Sequence, residues 1–160
     1  MNGIIVEDTR NQIAKHRLLN DMLKAKGFIV IRSKLVVGDY TRLDNQTVCI
    51  DTKKDIDEIA GNICGKQHDR FRAECIRAQE CDIQLIILIE ELPPNGDLGN
   101  WKSTKQRKGG KERKGDGKVL KKAMETMTSK YGVKFEFTTR EQCANRIIEL
   151  LSLKTDNLNG

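Results

Sequence analysis

Asp39 and Asp51 stand at the ends of two apolar, strand-like runs, Leu35-Val36-Val37 and Val48-Cys49-Ile50, and Lys53 follows at once. Charge at the end of a buried strand is costly unless something compensates it. On a strand alternate side chains share a face, so Asp51 and Lys53 project together while Val48, Ile50 and Thr52 project the other way. Register decides whether Asp39 joins them. A three-residue connection, Asp44-Asn45-Gln46, pairs Leu43 with Thr47 and sets Asp39 opposite Asp51, with Cβ atoms roughly 5 Å apart. A two-residue turn at Asn45-Gln46 would put Asp39 on the wrong face. Asn45 tolerates the left-handed conformation that a three-residue hairpin usually demands.

Two carboxylates that close repel unless positive charge lies between them. A hard divalent cation is the natural compensation: Mg²⁺ takes one or two carboxylates, keeps several waters and favours phosphate oxygens. Mn²⁺ suits the same oxygen donors. Lys53, a compact charge with three donors, suits holding a water or stabilising a pentavalent phosphoryl oxyanion. These are the parts of a metal-assisted phosphodiester hydrolysis.

The elements that must position these groups can be read from periodicity. Residues 3 to 7 read as a short buried strand. A helix follows from about Asn11 to Lys26, with Ala14, Leu18, Met22 and Ala25 on one face and Gly27 as its stop. Phe28 to Ile31, Leu35 to Leu43 and Thr47 to Thr52 read as strands. Asp55-Ile56-Asp57-Glu58 has capping-box spacing and opens a helix. A further helix runs from about Asp69 to Glu80, and Gln84 to Glu90 is apolar enough for a central strand covered on both faces. Val119 to Lys130, Val133 to Phe137 and Glu141 to Leu153 read as helix, strand and helix. The fold class is therefore α/β, with a mixed central sheet flanked by helices.

The 160 residues are read as a single domain over 1–154 with a polar tail at 155–160. No apolar stretch approaches the roughly 20 residues of a membrane helix. The N-terminus has no leader character, which favours the cytoplasm of a bacterial or phage-infected cell, or the nucleus of a eukaryotic one. Five cysteines without a C-x-x-C pair suit reduced thiols, mostly small hydrophobes of a core. The net charge of +6 is local: Lys102 to Lys122 holds ten Lys or Arg against Glu112 and Asp116, leaving the rest of the chain net acidic. From Pro93-Pro94-Asn95-Gly96 to Gly117 the chain is Gly- and Lys-rich without periodicity, and 95–117 is read as a mobile basic loop. Its Lys102, Lys105, Arg107, Lys108, Lys111, Arg113 and Lys114 are candidate nucleic-acid contacts, able to release counterions from phosphates. Such a run also serves as a solubilising or nuclear-targeting element. Trp101 at its base either anchors the loop or stacks on a base.

With these residues in view, the chain resembles the PD-(D/E)XK nucleases, and more narrowly the nuclease domain of XPF-type structure-specific endonucleases. The family pattern runs V-x-D-x-R, G-D-Y, E-R-K-x-x-x-D, a helix with R-F, and a strand ending in I-E. Here stand Val6-Glu7-Asp8-Thr9-Arg10, Gly38-Asp39-Tyr40, Asp51-Thr52-Lys53 with Asp57, Arg70-Phe71 and Ile89-Glu90. The resemblance implies a restriction-endonuclease-like core. It makes Asp39 and Asp51 metal ligands, Lys53 the catalytic lysine, and Asp8 a further acid at the metal. Asp57 becomes a supporting acid, while Arg10 and Arg70 lie near the scissile phosphate. It also implies Mg²⁺ or Mn²⁺, branched DNA (flap, fork or junction) as partner in repair or recombination, and a homodimer, with no membrane and no small-molecule cofactor. Two departures stand out: Asp51 replaces Glu, and Thr52 replaces Arg. No helix-hairpin-helix or helicase module is found in these residues.

Each residue has a plainer reading. Asp8 could cap the first helix, Asp57 and Glu58 could favour the positive end of theirs, and Arg70 could pair with Glu74 at i,i+4. The acid-acid-lysine set could be a surface ion-pair cluster. His16 and His68, without partners at ligand spacing, are read as surface residues. The rival functions are a catalytically inactive nuclease-fold module that binds branched DNA or a protein, and an RNA-processing enzyme.

Overall fold

The computed structural model describes residues 2–103 and 116–153. Six strands form one mixed sheet in the order β2-β1-β3-β4-β5-β6. The strands are β1 (Ile4–Asp8), β2 (Ile29–Ser33), β3 (Tyr40–Arg42), β4 (Val48–Lys53), β5 (Gln84–Ile89) and β6 (Lys134–Phe137). β3 runs antiparallel to β1 and β4, and the remaining pairs are parallel. The helices are α1 (Ile13–Ala25), α2 (Ile56–Cys64), α3 (His68–Glu80), α4 (Gly117–Tyr131) and α5 (Cys143–Ser152).

The sheet separates two cores, as alternation along a strand requires. Cys49, Leu85, Ile87 and Ile89 pack with α2, α3 and α4. Val48, Ile50, Ile86 and Leu88 pack with α1 and α5. β5, apolar on both faces, lies inside the sheet and is buried from Leu85 to Ile89. Among the described residues no helix is long and apolar enough to cross a membrane. Cys49, Cys75 and Cys143 are buried thiols that fill the cores.

Several expectations are corrected in detail. The third strand does not start at Leu35. Gly38 adopts φ +75°, which breaks extended pairing, and a side chain there would press within 3.0 Å of the Ile50 carbonyl. Only Tyr40–Arg42 is strand, while Leu35 and Val37 are buried from the preceding loop. α1 turns Leu19 and Leu23 inward, leaves Ala14 and Ala25 exposed, and exposes 56% of Leu18. α2 opens as the spacing requires: Asp55 accepts from Glu58 N at 2.8 Å, and the Glu58 carboxylate reaches back to Lys54 N.

The segment expected to be a mobile loop at 95–117 is ordered at both of its described ends. Short 3₁₀ turns at Pro94–Gly96 and Leu98–Asn100 bring Leu98 and Trp101 into the core. Trp101 is 5% exposed, so it anchors the chain. Gly117 starts α4 so close to this turn that a Cβ would lie 2.0 Å from the Leu98 carbonyl. Lys102 and Asp116 bridge the two ends. Lys105, Arg107, Lys108, Lys111, Arg113 and Lys114 lie outside the described residues, while Lys102 is exposed.

Candidate active site

The β3–β4 register places the expected residues. Tyr40 pairs with Ile50 and Thr41 with Cys49, the alignment that a three-residue connection demands. Asn45 reaches it without a left-handed backbone. Its side chain accepts from Thr47 N at 3.2 Å and Thr47 Oγ1 at 2.7 Å, and Arg42 grips Asp44 with two 2.7 Å bonds.

Asp51 and Lys53 share the α2–α3 side of β4, with Lys53 Nζ 3.1 Å from Asp51 Oδ1. Both are largely buried, with 12% of the Lys53 side chain and 7% of the Asp51 side chain exposed. Asp39 precedes β3, where strand alternation no longer dictates its direction. One of its oxygens, Oδ2, accepts from Thr52 N at 2.8 Å and from Thr52 Oγ1 at 2.7 Å. Its main chain is fixed twice: Asp39 N donates to the Ile50 carbonyl, and Asp8 N donates to that of Asp39. Thr52, a departure in the motif, is thus the clamp on the first aspartate.

Electrostatics follow from this packing. Burial pushes the Asp51 carboxyl well above the ordinary aspartate range; the nearby Asp39 adds to the rise and Lys53 opposes it. Burial also raises Asp39, against the hydrogen bonds from Thr52 and the charges of His16 and Lys53. Burial works against the Lys53 charge, but Asp51 and Asp39 outweigh it and hold the ammonium above its usual value. The two acids and the lysine therefore act as one electrostatic unit.

The other expected residues frame this unit differently. Asp8, expected as a further acid at the metal, accepts one hydrogen bond on each oxygen. Oδ1 accepts from Leu35 N at 2.9 Å, and Oδ2 accepts from Arg10 Nε at 2.7 Å. It does not cap α1, whose N-cap is Gln12. Arg10 also donates to the Leu35 carbonyl, and its guanidinium feels Asp8 foremost, then Glu74 and Asp39. Asp57 accepts a hydrogen bond from the Ser103 hydroxyl, near the base of the basic segment. Arg70 is exposed on α3 and forms no ion pair with Glu74. Among the described residues no three His, Cys, Asp or Glu side chains converge as a ligand set.

Two features were not anticipated. Glu74 on α3 accepts from Gly38 N at 2.8 Å, bracing the turn that presents Asp39, and its charge raises Asp51. Its position three residues after buried Phe71 and four before buried Ala78, on the rim of the apolar stripe, is the sequence signal that marks it. His16 is half-buried and not a surface residue. Asn20 Nδ2 donates to Glu7 Oε2 at 2.8 Å and Tyr40 Oη donates to Asn20 Oδ1 at 2.9 Å. The 2.9 Å contact to Tyr40 is therefore donated by His16 Nδ1. This chain of bonds locks α1 to the Gly38-Asp39-Tyr40 turn.

The order of these motifs along the chain has a counterpart in known proteins: the model of the ERCC4 domain matches residues 7–151. The chain belongs to the ERCC4 domain family. No curated protein sequence matches it. Among solved structures it is similar to XPF from Aeropyrum pernix, with a TM-score of 0.66 and 20% identity, covering 98% of this chain and 67% of that one. XPF from Aeropyrum pernix in complex with DNA is similar too, with a TM-score of 0.64 and 19% identity, covering 94% of this chain and 63% of that one. The chain thus spans about two thirds of the length of these relatives. The likeness fixes the mixed α/β sandwich as the XPF nuclease fold, and membership of the ERCC4 domain family supports a DNA endonuclease.

Proposed function

We propose that the chain is a divalent-metal-dependent DNA endonuclease that hydrolyses phosphodiester bonds in branched DNA during repair or recombination. The observation that carries this reading is the contact of Lys53 with Asp51, beside a second, half-buried carboxylate pinned by Thr52. Two mutually repelling acids, one buried and one half-buried, stay ionised together at neutral pH only with compensating charge.

The donor set fits Mg²⁺ or Mn²⁺. Asp39 Oδ2 and Asp51 Oδ1 carry the contacts described, so Asp39 Oδ1 and Asp51 Oδ2 are the ligand atoms on offer. Two carboxylates suit an ion that retains most of its water. A bound cation supplies Lewis-acid stabilisation of phosphate oxygens. The chain's own residues do the rest. Lys53, kept as an ammonium, meets the charge that grows on the phosphate in the transition state. Thr52 and Glu74 hold Asp39 in place, and Asp8 aims Arg10, 52% of whose side chain is exposed, toward an incoming phosphate. The basic segment adds contacts that position DNA without reading sequence.

The test is cleavage of end-labelled fork, flap and duplex substrates with Mg²⁺, with Mn²⁺ and with chelator. Metal-dependent products that Asp39→Asn removes support the reading. Binding of branched DNA without any product would leave an inactive nuclease-fold module. Preferential cutting of matched RNA hairpins would assign the chain to RNA.

A further inference from the structure

A cavity of about 570 Å³ lies between α1, the end of β4 and the β6–α5 connection, and none of the roles above uses it. Thr52 and Lys53 line it, so it adjoins the acid pair: Thr52 also holds Asp39, and Lys53 contacts Asp51. Lys15, Lys54 and Arg140 come to it from three separate elements. All three are exposed, and none forms an ion pair with a described acid. Its two acids, Glu58 and Glu90, are outnumbered by Lys15, Lys53, Lys54 and Arg140, and Glu58 accepts from Lys54 N. α1 contributes Leu18 and Met22 beside Lys15, so its wall is apolar with one cation on it.

Cations without ion-pair partners call for an anion, and an exposed leucine among them calls for an apolar surface. A nucleotide has both in one body, and the volume falls in the range of small-ligand sites. A base can enter such a concavity only when it is out of a duplex stack. Given the endonuclease reading on which this rests, we propose that the cavity binds one unpaired nucleotide of the substrate strand beside the scissile phosphate. Its phosphate lies on Lys15, Lys54 and Arg140, and its base against Leu18 and Met22. The site favours DNA that offers an unpaired arm at the cut, so substrate choice is built into the nuclease domain.

The test separates this site from catalysis. Binding of a fluorescent single strand and of a hairpin duplex of the same sequence is measured in chelator for wild type, Lys54→Glu and Arg140→Glu. The same assay compares an intact flap with one carrying an abasic unit at the first unpaired position, for wild type and Leu18→Asp. All three residues are exposed, and circular dichroism checks the folds. Each charge reversal is expected to weaken single-strand binding about tenfold and duplex binding far less. Wild type should prefer the intact flap, and Leu18→Asp should lose that preference. Equal losses on both substrates, or a preference that survives Leu18→Asp, would overturn the site. Flap cleavage in Mg²⁺ is scored beside it. If wild type makes no product while the binding pattern holds, the site stands and the endonuclease reading falls. If wild type makes product while the variants bind unchanged, the endonuclease reading stands and the site falls.

Discussion

Thr52 donates twice to the same oxygen of Asp39, from its main-chain nitrogen and from its hydroxyl. The residue that replaces an arginine of the related motif therefore orients a carboxylate instead of adding a charge. Thr52→Val keeps the shape and the main-chain bond but removes the hydroxyl. Asp39 should then rise further toward its protonated form, because a bond to the charged form is lost. Mn²⁺ affinity, read by electron paramagnetic resonance, should fall several-fold, and Thr52→Ser should restore it. Unchanged affinity in Thr52→Val would make the hydroxyl irrelevant to the site.

The buried acids carry a stability consequence with a definite sign. Asp39 and Asp51 are both raised in the folded protein, chiefly by burial. A carboxyl raised on folding adds stability that is full below its unfolded value, and that stability is lost as pH rises through the folded one. In chelator, wild type should therefore lose stability as pH rises above the ordinary aspartate range, and more steeply than Asp39→Asn. At pH 7.5 the variant should melt higher, by about 2–4 °C for each ~1 kcal/mol of relieved repulsion. Added Mg²⁺ should raise the melting temperature of wild type and not of the variant. Parallel pH profiles would mean that the two acids do not repel in the folded protein.

In the proposed reaction Lys53 serves as a charge and not as a base. Its ammonium is held above the usual lysine value despite burial, because Asp51 and Asp39 face it. Lys53→Ala should lower the single-turnover rate by about 10²–10³-fold, the cost of losing one preorganised donor at a developing oxyanion. DNA affinity should change little. The wild-type rate should not fall as pH rises through neutrality, since Lys53 keeps its proton there. A single-turnover rate untouched by Lys53→Ala would take the residue out of the mechanism.

How much of this was legible in sequence depends on where each constraint resides. The hairpin register was legible because loop length fixes it, and Tyr40 does face Ile50. The means differ: Asn45 works through its side chain and not through a left-handed backbone. The buried face of α1 was misread because Leu18 and Leu19 are adjacent, one helical step of about 100° apart. The half-buried side also carries His16 and Asn20, polar residues that a hydrophobic pattern assigns to solvent. The spacing of Glu74 from Phe71 and Ala78 marks its place on the rim of α3, but not its partner, the main-chain N–H of Gly38. Trp101 gave its role away only through packing, because an indole beside lysines reads equally as anchor or as stacking platform.

Glu74 should prove more sensitive to truncation than to neutralisation. Glu74→Gln keeps an oxygen for Gly38 N, whereas Glu74→Ala leaves that donor without its partner and frees the turn before Asp39. A lost acceptor at a buried group costs about 1–3 kcal/mol. Cleavage at saturating Mn²⁺ should therefore fall markedly in Glu74→Ala and only mildly in Glu74→Gln. Equal effects would mean that the charge of Glu74, felt by Asp51 and Arg10, matters more than its bond.

The basic segment can be tested without disturbing its anchors. Gly117 fits only as glycine against Leu98 and Trp101, and Asp116 caps α4 by accepting from Lys118 N, so a deletion reaching these residues would injure the core. Replacing Lys105, Arg107, Lys108, Lys111, Arg113 and Lys114 with Gln spares both. Each phosphate contact contributes roughly 0.9 to the slope of log affinity against log salt on duplex DNA. The sextuple variant should bind duplex and flap alike more weakly, with a salt slope shallower by about 1 for every side chain that touched a phosphate. Its melting temperature should match wild type, since the described core is untouched. An unaltered slope would make the segment a spectator and leave DNA capture to the groups around Lys53.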